Sequence, residues 1–524
     1  MRSICLYFQV HQPYRLRTYR FFDIGEDHQY YDEYQNRQII RRAAEKCYLP
    51  ANKMLLDLIK EFGPAFKVSF CISGTAMDQF RQSAPEVLHS FRRLADTGSV
   101  EFLAETYAHS FAALRDKEEF SRQINLHVKA IQEHFGKTPV TFKNPELLYS
   151  DTIGEMVYEQ GFSVMVTEGA KFIMGWKSPN YMYCNNINPK LKLLLRNNRL
   201  SDDIAFRFSR RNWSEWPLTT EKFTGWLNKI DPKEEVVNIF MDYEAIGERQ
   251  GNESGIFEFF YSLPKAVLKH TNFTFSIPSE IAKKLQPVSA IRVESPISWA
   301  DEERDLTSWL GNELQDEAFT KLYSVSEKIR KCSDPAILRD WLYLQTCDHF
   351  YFMSTKWFSD GAIHPYFNPY PSPYEAFINY MNVLSDFTIR LESDIAYKEK
   401  IITRAEPVPK RTRIKKVAPK KEPELPAIPA RSKEKKKVKS AVQKFGLEDI
   451  PALSDRRVRE MIKQLEVRTL AYALHSSGKE TRKKIEKNLG KRALKEFRDL
   501  YKETGDAKPV QINEAQKEIL KLIS

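Results

Sequence analysis

The stretch VVNIFMDYEAIGERQG, residues 236–251, constrains the fold more than any other part of the chain. Val236 to Met241 is an apolar run too continuous for a strand with one wet face. It reads as a buried parallel strand. The run stops at Asp242, and Tyr243 and Glu244 follow. A carboxylate at the carboxyl end of a buried strand is where α/β barrels keep their chemistry. In a second stretch, VTFKNPELLYSD at 140–151, a short strand ends at Asn144 and delivers Glu146. Two acids from two strand tips can meet across one pocket. Each could equally cap a helix or pair with an arginine.

Further strands are predicted at Ile4–Val10, 67–74, 99–110, 162–169, 204–209 and 273–280. Helical patterns fall between them, at about 36–62, up to about 97, and at 117–135. Seven or eight strands alternating with helices over about 285 residues predict a parallel α/β barrel rather than an open sheet. The polar clusters stand at strand ends: His11-Gln12-Pro13 after the first, and Glu101, Glu105, His109 and Ser110 toward the end of the third. No GxGxxG or GxxxxGK[ST] phosphate loop is present. From about 286 the pattern turns to long helices separated by aromatic-rich loops at 295–305 and 357–377. Exposed Trp and Tyr faces stack on the apolar faces of sugar rings. They serve equally well to weld helices to a barrel.

Charge has to be divided along the chain. The total is +11 from 81 Lys and Arg against 70 Asp and Glu. Residues 1–397 hold 46 basic and 52 acidic residues, 398–439 hold 16 and 5, and 441–524 hold 19 and 13. The large N-terminal part is therefore mildly acidic, which argues against specific nucleic-acid binding there. Six cysteines without CxxC spacing predict reduced thiols and no zinc site. The chain starts directly in a strand, with no signal-peptide pattern and no apolar run long enough to span a membrane. A cytoplasmic location is expected.

Five stretches in order, FQVHQP, GSVEFLAETYAHS, TFKNPELLYSD, FMDYEAIGERQ and SPISWADEERDLTSWLGNELQ, resemble glycoside hydrolase family 57, retaining amylase-like enzymes acting on α-glucans. The resemblance covers residues 1 to about 390. It implies an incomplete (β/α)7 barrel over 1–285 and a helical bundle over 286–395 that completes the active site. It also implies a nucleophile at Glu146 and a general acid/base at Asp242. His11, Gln12, Glu101, His109, Trp299, Asp301 and Asp348 then line or support the glucan subsites. Neither metal nor cofactor is expected. The chain departs from the family pattern at Pro145, usually Thr, and at Ala245, Ile246 and Arg249, which replace Thr, Phe and His. These changes leave the carboxylates and alter the pocket wall.

The implied chemistry needs two acids with separate jobs: one ionised to attack the anomeric carbon, the other protonated to release the leaving oxygen. Water then gives hydrolysis, and a sugar hydroxyl gives transfer, as in a 4-α-glucanotransferase or branching enzyme. A catalytically silent glucan-binding scaffold is the reading of another class, which retention of both acids argues against.

Within the expected linker 396–440, residues 401–440 carry six prolines, dense lysine and no aromatics. Such a segment cannot bury a core and is expected to be a disordered tether. Helical patterns return at 454–465, 466–476, 479–504 and 511–523. LEDIPALSDRRVREMI, LAYALHSSGKETRKKIEKNLGKRA and VQINEAQKEIL resemble the C-terminal domain of the flagellar motor switch protein FliG. That resemblance over 441–524 implies a docking module for a protein partner.

Overall fold

The computed structural model describes residues 2–356, 368–404, 450 and most of 455–503. It divides into two compact units, Met1–Lys410 and Arg411–Ser524.

Among its described residues the first unit holds ten strands: β1 (Arg2–Val10), β2 (Val68–Ile72), β3 (Val100–Phe102), β4 (Thr141–Lys143), β5 (Val164–Glu168), β6 (Met182–Asn185), β7 (Lys192–Arg196), β8 (Val236–Asp242), β9 (Phe273–Phe275) and β10 (Ala290–Ile291). Seven make a parallel ring in the order β1-β2-β3-β4-β5-β7-β8, which returns to β1. Two seams of the ring are thin. Between β3 and β4 it closes through Ala104, paired with Phe142 just past β3. Between β7 and β8 a single pair, Arg196 with Asn238, makes the join. The reason is visible in β7, which gives the lower part of that edge to β6, antiparallel over Lys192–Leu194. This is the incomplete (β/α)7 barrel.

One predicted strand is corrected. Residues 204–209 are not a barrel strand: Asp203–Arg207 is a π-helical turn continuing the helix Asn198–Asp202. Phe206 and Phe208 imitate strand alternation, but Ile204, Ala205 and Phe208 are buried together on one helical face. The strand that takes its place is β7. β9 is a short wedge paired only to the first residues of β1.

The barrel's two faces follow from the two-residue period of a strand. Ile4, Leu6, Phe8 and Val10 of β1, with Val237, Ile239 and Met241 of β8, pack outward on the helices. Cys5, Tyr7, Val236 and Phe240 fill the barrel's interior. Gln9 and Asp242 continue that inward series at the carboxyl ends. Serine and aspartate caps start the helices on that same rim: Ser73, Asp116 and Ser150 accept first-turn N–H groups of Gly74–Ser83, Lys117–Phe135 and Asp151–Glu159.

Helices Glu313–Tyr323, Pro335–Leu344 and Pro373–Arg404 form the bundle, around a core that includes Trp341, Tyr380 and Phe387. The last helix runs to Arg404, past the boundary expected at 395/396. Residues 405–449, most of the expected tether, and 357–367 of the aromatic-rich loop lie outside the described residues. All six cysteines are buried, and none is in a disulfide. Among the described residues no helix is long and apolar enough to cross a membrane.

The second unit carries helices Val467–Ala473, Lys479–Asn488 and Lys491–Glu503 around Leu470, Leu474, Ile485 and Phe497. The helix expected over 479–504 breaks at Leu489–Gly490. The one expected at 511–523 lies outside the described residues.

Candidate active site

A cavity of about 250 Å³ opens at the carboxyl ends of the barrel strands. His11, Gln12, His109, Glu146, Asp242, Trp299, Asp301 and Asp348 all line it. Glu146 arrives on the turn Pro145–Leu147 that follows β4. Asn144 is extended, as a residue before proline must be, and Glu146 itself takes a left-handed φ of 56°. The non-glycine residues with positive φ among those described are His109, Glu146, Leu147, Asp301 and Arg304. Each lines the cavity or adjoins Glu146. Such conformations cost roughly 1–3 kcal/mol apiece and gather where the surrounding structure enforces a function.

Both oxygens of the Glu146 carboxylate are held. His109 Nε2 is 2.8 Å from Oε1, and the Trp299 indole N–H donates to Oε2 at 2.6 Å. The other nitrogen of His109 is 2.8 Å from Glu105 Oε2, and Lys143 Nζ reaches the same oxygen at 2.9 Å. With a carboxylate on each nitrogen, His109 donates twice and carries a full charge. Burial opposes that charge, but Glu105 and Glu146 outweigh it and raise the imidazole to about 9. Glu105, facing Lys143 and His109, is held well below the usual carboxylate range despite its burial.

His11 stacks flat on His109, with ring centroids 3.9 Å apart. Burial first, and then the His109 charge, push His11 down, so it is the neutral ring of the pair. Its Nε2–H points to Asp348 Oδ2 at 2.9 Å, which leaves Nδ1 to accept from Ser73 Oγ at 2.8 Å. Ser73 thus caps a helix and fixes a site histidine together. Asp348 is half-buried, and although desolvation works against it, His11 and the cation behind it hold its carboxyl below the ordinary range.

Asp242 lines the same cavity, in an ion pair with Arg249. The turn that brings Arg249 back is closed by Arg249 N–H to Glu244 O at 2.8 Å and Gly247 N–H to Gln250 O at 2.9 Å. Gly247 is required there: its φ is +94°, and a Cβ would come within 2.1 Å of Lys46 O. Glu244 is buried on the same wall and accepts from Tyr48 Oη and from Gln12 Nε2 at 3.3 Å. Burial and the neighbouring Asp242 raise its carboxyl to about 7.

Glu101 does not reach the cavity. It points inward from the middle of β3, where it accepts from Thr141 Oγ1 at 2.6 Å and from Ser279 N–H at 3.0 Å. Its register partner is Ser69, well below the rim. The acid of that segment that serves the site is Glu105, acting behind His109. Sequence reasoning also passed over Arg196, Asp202, Glu244 and Arg304, which all line the cavity. Arg196 closes the missed strand β7, so finding that strand would have exposed it.

His109, Glu146 and Cys347 offer ligand atoms within 4.8 Å of one another, the one such grouping among the described residues. Both His109 nitrogens already donate to carboxylates, and burial pushes the Cys347 thiol well up. The set suits a proton network better than a cation.

The model of glycosyl hydrolase family 57 matches residues 5–294, more than half of the chain. The chain belongs to glycosyl hydrolase family 57. A curated relative, described as a putative alpha-amylase of Methanocaldococcus jannaschii, is 39% identical over 408 residues, covering 75% of this chain and 85% of the relative. Among solved structures, a family 57 branching enzyme from Thermococcus kodakaraensis superposes with a TM-score of 0.55 at 13% identity, covering 76% of this chain and 92% of that one. That likeness shows a common fold. The family 57 chain is thus a glycoside hydrolase by family, and its C-terminal part is similar to a different family. Residues 431–524 match the model of the FliG C-terminal domain. The flagellar motor switch protein FliG of Thermotoga maritima is 34% identical over 79 residues, 15% of this chain and 24% of that protein.

Proposed function

We propose that the chain is a retaining glycoside hydrolase of α-1,4-glucans such as glycogen, starch or maltooligosaccharides. Glu146 is the nucleophile and Asp242 the general acid/base. The observation that carries this reading is the Glu146 carboxylate, held at both oxygens by His109 and Trp299 on a left-handed turn, in one cavity with Asp242. A nucleophile fixed in this way meets the anomeric carbon with little left to reorganise. Asp242 protonates the departing glycosidic oxygen, and Glu146 forms the glycosyl–enzyme bond. Asp242 then takes the proton of the incoming hydroxyl, whose oxygen displaces Glu146. The cationic His109 stabilises the Glu146 carboxylate each time it is released. The relative described as a putative alpha-amylase supports α-glucan as the substrate.

Transfer is the second reading, as a 4-α-glucanotransferase or branching enzyme. Phe206 and Tyr351 on the cavity wall favour it, because aromatic faces can seat an acceptor sugar. Product profiling on maltoheptaose separates the two. Only shorter sugars mean hydrolysis, and products longer than the substrate mean transfer. Either activity is lost in Glu146→Gln; activity unchanged in that variant would refute the assignment. A protein partner docking through the FliG-like unit is the role we propose for the C-terminal part.

A further inference from the structure

Trp299 does not reach Glu146 on a free loop. The segment Ser298–Asp305 folds back on itself: Ser298 N–H donates to Arg304 O at 3.0 Å, and Arg304 N–H to Ala300 O at 3.2 Å. Asp301 and Arg304 both take left-handed φ angles within it. The Arg304 guanidinium donates to the Trp299 carbonyl and, at 2.9 Å, to Asp202 Oδ2. Asp202 in turn is held by Arg196, whose Nη1 reaches Glu168 Oε2 at 3.2 Å. The Arg196 guanidinium also lies over the Trp299 indole, 5.2 Å from its centroid, and Phe240 meets that ring edge-on at 5.3 Å. Trp299 N–H closes a second contact, to Glu146 O at 3.1 Å. A line of two acids and two guanidinium groups, buried at Glu168 and Arg196 and half-buried at Asp202 and Arg304, therefore runs from the tips of β5 and β7 to the indole that holds Glu146.

We infer that Asp202 and Arg304 are positioning residues for the nucleophile, acting through Trp299. The inference rests on Glu146 being the nucleophile. Two charges of each sign make the line self-compensating, so its geometry is set by directed hydrogen bonds rather than by a net field. Trp299 is fixed at three points: its carbonyl by Arg304, its ring by Arg196 and Phe240, and its N–H groups by Glu146. Loosening the carbonyl tether lets the indole shift by a fraction of an ångström, and Glu146 Oε2 loses its donor. The bond from Glu146 to the anomeric carbon then forms from a less ordered carboxylate. Asp202 and Arg304 also line the cavity, so the split between kcat and KM separates positioning from direct contact with sugar.

The test is a double-mutant cycle between Asp202→Asn and Trp299→Phe in the intact chain, read as kcat and KM on maltoheptaose, with Arg304→Lys as a third single variant. Each of Asp202→Asn and Trp299→Phe is expected to lower kcat by about 10- to 100-fold, with KM changing less than about threefold. The double variant is expected to match Trp299→Phe alone, and Arg304→Lys to fall between it and wild type. Effects of Asp202→Asn that multiply with those of Trp299→Phe would overturn the inference. So would a loss confined to KM, which would mean that Asp202 touches sugar, or a lowered melting temperature with kcat intact, which would mean a structural role. Glu146→Gln is measured alongside. Activity surviving there refutes the nucleophile assignment, whereas its loss together with multiplying effects refutes the positioning role alone.

Discussion

Two residues put opposite ends of the pH range under test. His109 donates to carboxylates on both sides, and its imidazole is raised from 6.5 to about 9. A group raised in the folded state lends stability that is complete below its unfolded value and lost as pH climbs through the folded one. That window runs from about 6.5 to about 9, and a shift of this size is worth on the order of 3 kcal/mol. Glu244, raised from 4.5 to about 7, works in the same direction across a lower window. In thermal melts the contribution of these two groups should fall from about pH 4.5 to 9, against an opposite trend from His349, whose imidazole burial pushes down to about 4. Glu244→Gln should flatten the lower part of that fall and His109→Asn the upper part. Curves parallel to wild type in both variants would contradict this electrostatic picture. Neither shift could be read from sequence, because the burial that raises Glu244 and the Glu146 carboxylate that completes the contacts of His109 arise only in the fold.

At the scale of the element, the sequence displayed some strands plainly and hid others. β8 announces itself by a six-residue run, apolar except for Asn238, that ends in an acid, and β4 by its strand-to-Glu146 turn. β7 was missed because Phe206 and Phe208, two positions apart, mimic a strand a little further on, while the real strand pairs in both directions. Its loss from the reading hid Arg196, which ties the thinnest seam of the barrel by donating to Phe240 O at 2.9 Å and pairing with Glu168 and Asp202. Arg196→Met strands the buried Glu168 without its cation, a change that costs about 3–5 kcal/mol. Urea unfolding of the barrel should shift by that amount, and adding Glu168→Gln should recover part of it. An unchanged midpoint in Arg196→Met would show that the seam does not depend on this arginine. Glu101 was placed at the site because it belongs to the same motif as His109. Parity along β3 turns it inward, but its position in mid-strand leaves it below the cavity.

For the molecule as a whole, the family 57 unit has its own cores and its own cavity, and the FliG-like unit has a separate small core. A chain cut after Lys410 should keep the product profile of the intact protein, with any partner binding lost. Conversion of a hydrolytic profile to a transferring one by the cut would show that the C-terminal unit shapes the chemistry. Charge makes the same division: the acidic balance lies in residues 1–397 and the basic balance beyond them. The bundle and the five ordered motifs were legible from sequence because their residues are close together along the chain. The stacked histidines were not, because they join the loop after β1 to the loop after β3.

The central claim is that Glu146 bonds to the sugar. Incubating the intact chain with a 5-fluoro-α-glucosyl fluoride, followed by peptide mass spectrometry, tests it most directly. The account predicts a stable sugar adduct on the peptide carrying Asn144-Pro145-Glu146, absent from Glu146→Gln. An adduct on any other residue, or β-configured sugars as the first products of maltoheptaose turnover, would contradict it.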